Sequence, residues 1–346
     1  IIMSNDKIKL ASTAVVLLKW GNINGSSLKK LDLLNKKPLE KFDYRVMMVK
    51  RSNKIKFFPS AHVFPGGAVD QHDFKPEWSN IFEKGLNGSP IKNLPIKVSA
   101  LREVLEETNF FLDKNRQLMD EKNLSEIESL QKNLMDREAS AKTNFLFDFL
   151  NEKKEKDNIV VSLNNLYQWA RWVTPDLGPK QTHRFDTYFY LNPLYEYPEL
   201  CKIDGTENTQ LDWFSPDEAL EEHRLGNISL PPPTWFTFQQ LSKLYTLDEV
   251  INVAKQREEA EILYEPKMVE GITIKKFDYY ERNQVLNGDS LFETGKEGPS
   301  KNRIIIRSRS GSLTDQYSWY YEYLNNIPNS IDRQYNGCKT NLPSKL

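Results

Sequence analysis

The chain has 346 residues, enough for one large domain or two modest ones, and its formal net charge of −1 gives no global reason to expect a nucleic-acid partner. Its only two cysteines, Cys201 and Cys338, exclude a disulfide framework and fit an intracellular protein. The longest unbroken apolar run, Ala14 to Leu18, is far too short to span a membrane.

The amino end, Ile1-Ile2-Met3, reads as neither a secretory nor a transit segment, and Met3 is expected to be the natural start. Thr13 to Lys19 and Tyr44 to Lys50 are short β-branched or apolar runs that predict strands. Lys50, Arg51, Lys54 and Lys56 form a basic stretch ahead of His62-Val63-Phe64-Pro65-Gly66-Gly67, whose glycines let a backbone approach a ligand closely. Residues 74–97, punctuated by Pro76, Gly85, Gly88, Pro90 and Pro95, read mostly as loop. A helix is expected to follow, because Val98, Leu101, Val104 and Leu105 share one face and Glu103, Glu106 and Glu107 share another. Asn109 suits a left-handed cap at its end.

Residues 113–158 are charged and helix-rich, and their aromatics, Phe145, Phe147 and Phe149, are expected to pack as core, with the lining of an acyl-chain groove as the lesser alternative. Trp169 to Pro175 and Arg184 to Leu191 predict further strands, and Leu211 to Phe214 a strand running into a helix with Ser215 as N-cap and Pro216 in the first turn. Pro231 to Leu244 predicts a last helix. Between 250 and 310 the strand candidates are 272–279, 284–292 with an Asn287-Gly288 turn, and 303–309, giving a small β appendage. The aromatic stretch from Tyr317 to Tyr323 is expected to dock on the body. No internal repeat is evident.

The carboxylate cluster carries the chemistry. Like charges at helical spacing repel; a hard divalent ion such as Mg²⁺ between them reverses that sign and can share its shell with substrate phosphates. A solvated acidic face is the alternative reading of E-x-x-E-E taken alone. With its context, the arrangement resembles the Nudix hydrolase box, G-x5-E-x7-R-E-U-x-E-E-x-G-U, in which U is a bulky aliphatic residue. Gly67, Arg102, Glu103, Val104, Glu106 and Glu107 match it, and Asn109 replaces the final glycine. Gly67 and Arg102 are 35 positions apart, so about 21 residues have entered the box, which runs here over 67–110. Asp73 falls where the first glutamate would, and the insertion after it leaves its role open.

The resemblance implies an α/β (α+β) fold, the Nudix α/β/α sandwich with a mixed sheet, over residues 8–250. The loop insertion 74–97 and helical insertion 113–158 would sit inside it, with a β-rich extension over 251–330 and a flexible tail over 331–346. It implies that Glu103, Glu106 and Glu107 bind Mg²⁺ or Mn²⁺ and that Arg102 orients one of them. Catalysis falls to Glu103, Glu106, Arg102 and Glu207, the last lying in the loop where some members carry an extra glutamate; Glu103, Glu106 and Glu207 all remain candidates for the base. Substrate contacts are expected from Gly66, Gly67, Arg51, His62 and Arg171. The four histidines lack ligand spacing for zinc.

The W-F-x-P-x-E-A-L and P-P-T elements and the split box are similar to Nudix members that cleave coenzyme A and acyl-coenzyme A to 3′,5′-ADP and (acyl-)4′-phosphopantetheine. An arginine and a glycine of the coenzyme A fingerprint are replaced by Lys56 and Ser60. NADH or ADP-ribose is the alternative substrate, and a catalytically silent binding scaffold the third reading, against which the intact glutamates argue. Ser344-Lys345-Leu346 matches the tripeptide read by the peroxisomal import receptor, so the peroxisomal matrix is the expected location. Deleting these three residues should leave the purified protein's kinetics unchanged and the protein in the cytosol of cells. Peroxisomal fluorescence from a tagged truncation would show that another signal carries import.

Overall fold

A computed structural model describes residues 8–20, 41–55, 58–119, 122–176, 178, 181, 183–198, 201–203, 205–270, 281–287, 289–296, 299, 301–308 and 319–325. The strand expected at 272–279, the tail and Ser344-Lys345-Leu346 lie outside them.

The first strand, β1 (Ile8–Lys19), is buried on both faces from Ala14 to Leu18, as an almost continuous apolar run requires of a central strand. It pairs in parallel with β6 (Arg184–Leu194) and antiparallel with β2 (Tyr44–Arg51) and β4 (Gly66–Ala68). Outward from β2 lie β3 (His62–Val63) and β7 (Asn208–Phe214); outward from β6 lie β5 (Tyr167–Val173) and β8 (Leu263–Tyr264). The result is one mixed eight-stranded sheet.

Alternation along β1 separates two cores. Ala14, Val16 and Leu18 face α1 (Leu94–Thr108), whose Val98, Leu101, Val104 and Leu105 are fully buried. Val15 and Leu17 face the opposite layer of α5 (Pro216–Leu225), α6 (Pro232–Leu241) and α7 (Leu247–Ala260). Helices on both faces of a mixed sheet make the expected α/β/α sandwich. Asn109 closes α1 at φ 53°, its N–H donating to the Leu105 carbonyl at 3.0 Å. Ser215 and Glu218 form a reciprocal capping box at the start of α5.

The two insertions pack on the α1 side. The first folds into short 3₁₀ turns at Gln71–Phe74, Pro76–Asn80 and Leu86–Gly88 before entering α1 through Leu94 and Pro95. The second forms α2 (Leu124–Met135), α3 (Arg137–Ser140) and α4 (Phe145–Asp157). They meet where Trp78 and Phe147 sit edge to face, ring centroids 5.1 Å apart.

Two sequence expectations change here. The helix at 232–241 is not the last, because α7 follows it, with Leu247, Val250 and Ala254 facing the core. The segment 284–292 is not one hairpin strand: β10 (Glu281–Val285) covers only its first two residues and α8 (Ser290–Thr294) begins inside it. Asp289 makes the difference. Its carboxylate accepts from the Asn302 N–H at 2.7 Å and from Arg303 Nε at 2.7 Å, which fixes the turn into β11 (Asn302–Ser308). With β9 (Lys267–Glu270) and β12 (Trp319–Asn325), these strands form an antiparallel sheet ordered β12-β11-β10-β9. Tyr321 docks it on the body, donating to the Leu230 carbonyl at 2.9 Å and stacking on His223.

Candidate active site

The split box is rejoined by Arg102. Its Nε and Nη2 donate to the two oxygens of Asp73 at 3.1 and 2.9 Å, Nη1 to Glu103 Oε1 at 2.8 Å and Glu106 Oε1 at 3.0 Å, and Nη2 also to the Ala68 carbonyl at 2.9 Å. One buried guanidinium thus ties together the turn, the start of the insertion and the helix, in the bidentate geometry that arginine favours with carboxylates. Asp73 therefore stands beside Arg102 although 28 residues separate them in sequence.

The turn itself demands glycine. A side chain at Gly66 (φ 155°) would meet the Ser12 carbonyl oxygen at 2.3 Å, and one at Gly67 would meet Glu103 Oε2 at 2.4 Å. The Gly66 N–H donates to Glu107 Oε2 at 3.1 Å. Backbone and carboxylates are thereby pressed together. Glu106 and Glu107 are 6% and 7% exposed, which excludes a solvated acidic face.

Electrostatics follow from that burial. Desolvation, then Glu103, pushes Glu107 up to about 8 against the opposing pull of Arg51, Asn208 and the Gly66 N–H. Glu106 is pushed up to about 7 by burial and by Glu103, against Arg102 and Arg137; Glu103 is also raised, chiefly by burial. Burial would lower the Arg102 pKa, but Glu103, Asp73 and Glu106 together hold it well above its ordinary value.

Among the described residues, no three carboxylates, imidazoles or thiolates already converge as a finished ion site. Arg102 draws Glu103 and Glu106 onto its own Nη1 instead. The donor set nevertheless suits a hard divalent ion: three carboxylates, closely spaced on α1 and raised chiefly by burial, beside a turn with no side chain in the way.

The other expected residues divide. Arg51 is brought to the carboxylates: it acts on Glu107, and its Nε is buried with no hydrogen-bond partner among the described residues. Glu207, in the loop before β7, reaches the rim through Arg137, whose Nη2 donates to Glu207 Oε1 at 2.9 Å while Nη1 lies 3.7 Å from Glu106 Oε2. His62 is buried, with Nε2 3.4 Å from Asp212, so that β7 rather than the turn engages its ring. Arg171 is not brought to the carboxylates. It pairs with Asp186 and lies over the Tyr188 ring, three strand spacings from Gly67, roughly 14 Å.

Sequence reasoning missed Arg137, Asn208 and Gln131. Gln131 donates to the Glu106 carbonyl at 2.9 Å, and Arg137 follows Asp136, which caps α3 by accepting from the Glu138 and Ala139 N–H groups. Nothing in the sequence set Arg137 apart from the other lysines and arginines of the charged insertion.

The raised carboxylates make a pH prediction. A folded-state pKa above the ordinary 4.5 contributes stability that is full below the unfolded value and is lost as pH rises through about 7 to 8. Chelator-treated protein should therefore melt at progressively lower temperature between pH 5 and about 8.5. Glu107→Gln should flatten that slope; an unchanged slope in the variant would contradict the assignment.

Comparison with known proteins agrees with this geometry. The family model described as the NUDT19 Nudix domain matches residues 10–92 and 87–241. The chain is 27% identical over 238 residues to "Acyl-coenzyme A diphosphatase NUDT19" of Xenopus laevis, covering 60% of the chain and 62% of that protein. It is 28% identical over 208 residues to "Putative nudix hydrolase 7" of Caenorhabditis elegans, covering 59% of the chain and 58% of that protein. The match thus spans about three fifths of these relatives' length. The crystal structure of a NUDIX hydrolase from Alicyclobacillus acidocaldarius superposes with a TM-score of 0.53 at 23% identity, over 72% of this chain and 97% of that one, and shares the fold. With more than half of its length matched by that family model, the chain belongs to the NUDT19 Nudix domain family.

Proposed function

We propose that the protein hydrolyses the diphosphate bond of coenzyme A and its acyl esters, releasing 3′,5′-ADP and (acyl-)4′-phosphopantetheine. The observation that carries this reading is the reassembled box: Arg102 holding Asp73, Glu103 and Glu106, with Glu107 on the Gly66 N–H. Coenzyme A is favoured among diphosphates by the names of the relatives, which are acyl-coenzyme A diphosphatases over the matched region.

In this reading Glu103, Glu106 and Glu107 hold Mg²⁺ or Mn²⁺. A bound ion of that kind neutralises diphosphate charge and lowers the pKa of water. The chain's own residues position the rest. Arg102 fixes the χ angles of Glu103 and Glu106. The glycine turn lets the diphosphate approach, and the Arg51 guanidinium offers it a planar pair of donors. Glu207, about half exposed and oriented by Arg137, can take a proton from the attacking water, whereas Glu103 and Glu106 are both tied to Arg102. The reading extends to the peroxisomal matrix as the compartment, through the tripeptide whose truncation test is given above.

Glu106→Gln and Glu107→Gln should each lower kcat on the order of 10²–10³-fold with an unchanged circular dichroism spectrum. Full activity in Glu103→Gln, Glu106→Gln and Glu107→Gln alike would remove the mechanism. On a panel of coenzyme A, octanoyl-coenzyme A, dephospho-coenzyme A, NADH and ADP-ribose, the first two should be cleaved best. Dephospho-coenzyme A should be poorer, because a charge-assisted contact to the 3′-phosphate is left unmade. Preference for NADH or ADP-ribose over every coenzyme A compound would reassign the substrate.

A further inference from the structure

A cavity of about 300 Å³ lies between the β5–β6 face of the main sheet and the C-terminal sheet. Gly66 and Arg51 form part of its lining, and the same Gly66 donates its N–H to Glu107, which links the cavity to the carboxylates although none of them lines it. Trp172 and Phe189 of the main sheet face it. Met268 and Ile306, from β9 and β11, close the far wall.

The lining is mostly apolar, and two of its polar residues carry a buried unpaired atom: Arg51, at the end beside Gly66, and Gln284 on the opposite wall. Gln284 of β10 is 8% exposed, lines the cavity, and its Oε1 has no hydrogen-bond partner among the described residues. A buried acceptor left unpaired is destabilising, and such groups in native structures commonly mark a site that a donor fills. The matching ligand is a slender chain of methylenes and methyl groups that carries an N–H and is attached to a diphosphate. A purine with its ribose brings many more polar atoms and would need as many partners.

Resting on the coenzyme A reading above, we infer that this cavity is the subsite for the pantetheine arm of the substrate, with Gln284 accepting an amide N–H and the C-terminal sheet forming the wall. The β extension is then part of the binding site. It selects substrates whose diphosphate bears an amide-containing chain on the side away from the nucleotide.

Calorimetric titration of the full chain with 4′-phosphopantetheine and, separately, with 3′,5′-ADP tests this directly. Gln284→Leu removes only the acceptor and Met268→Trp fills the space, so a folding defect in one leaves the other informative. Each should weaken 4′-phosphopantetheine at least about tenfold and leave 3′,5′-ADP within about twofold. Unchanged 4′-phosphopantetheine affinity in both variants, or a larger loss for 3′,5′-ADP, would overturn the assignment, as would failure of the wild type to bind 4′-phosphopantetheine. Hydrolysis of coenzyme A is measured on the same wild-type sample. If that fails while the binding pattern holds, the activity is wrong and the subsite stands.

Discussion

A single guanidinium holds the halves of the catalytic motif together. Arg102 could not be buried alone, because an uncompensated charge in the interior costs far more than any packing gain. Asp73, Glu103, Glu106 and the Ala68 carbonyl compensate it from three different stretches of chain. Since Asp73 and α1 are pinned to the same group, the residues between them are forced outward as a loop. An insertion can therefore split the motif in sequence without separating it in space. The loop-closure cost of such an insertion grows only slowly with its length.

The segments beyond the sandwich also contribute to the site. The helical insertion supplies Gln131 to the Glu106 backbone and Arg137 to the gap between Glu106 and Glu207. The loop insertion supports it through Trp78, which stacks on Phe82 and meets Phe147 edge to face. On the opposite face, the C-terminal sheet encloses the apolar cavity beside Gly66. An electrostatic rim thus lies on the α1 side of the sheet and an apolar wall on the α6 side, the asymmetry on which the proposed substrate reading rests.

How much was legible in the sequence depended on the range of the interaction. Gly66, Gly67 and the Glu103-Glu106-Glu107 face were readable because local geometry restricts the residue types: no other side chain fits against Ser12 and Glu103, and i, i+3, i+4 spacing fixes a helix face. The central strands were readable because burial on both faces leaves a continuous apolar run. Asp73 matched the box by count, but only the fold could show that its carboxylate meets Arg102. Arg171 looked suitable on a neighbouring strand, yet it stands three strand spacings from the glycine turn and is already paired with Asp186. His62 looked suitable beside the turn, but strand alternation turns it toward Asp212. Arg137 and Gln284 gave no signal because both act across contacts far apart in sequence.

The central claim is that the buried glutamates on α1 form a divalent-cation site. The most direct measurement is Mn²⁺ titration by electron paramagnetic resonance, comparing the wild type with a variant carrying Glu103→Gln, Glu106→Gln and Glu107→Gln. The account predicts saturable loss of the free Mn²⁺ signal with the wild type and none with the variant at the same concentration. Equal binding by the two proteins would contradict it.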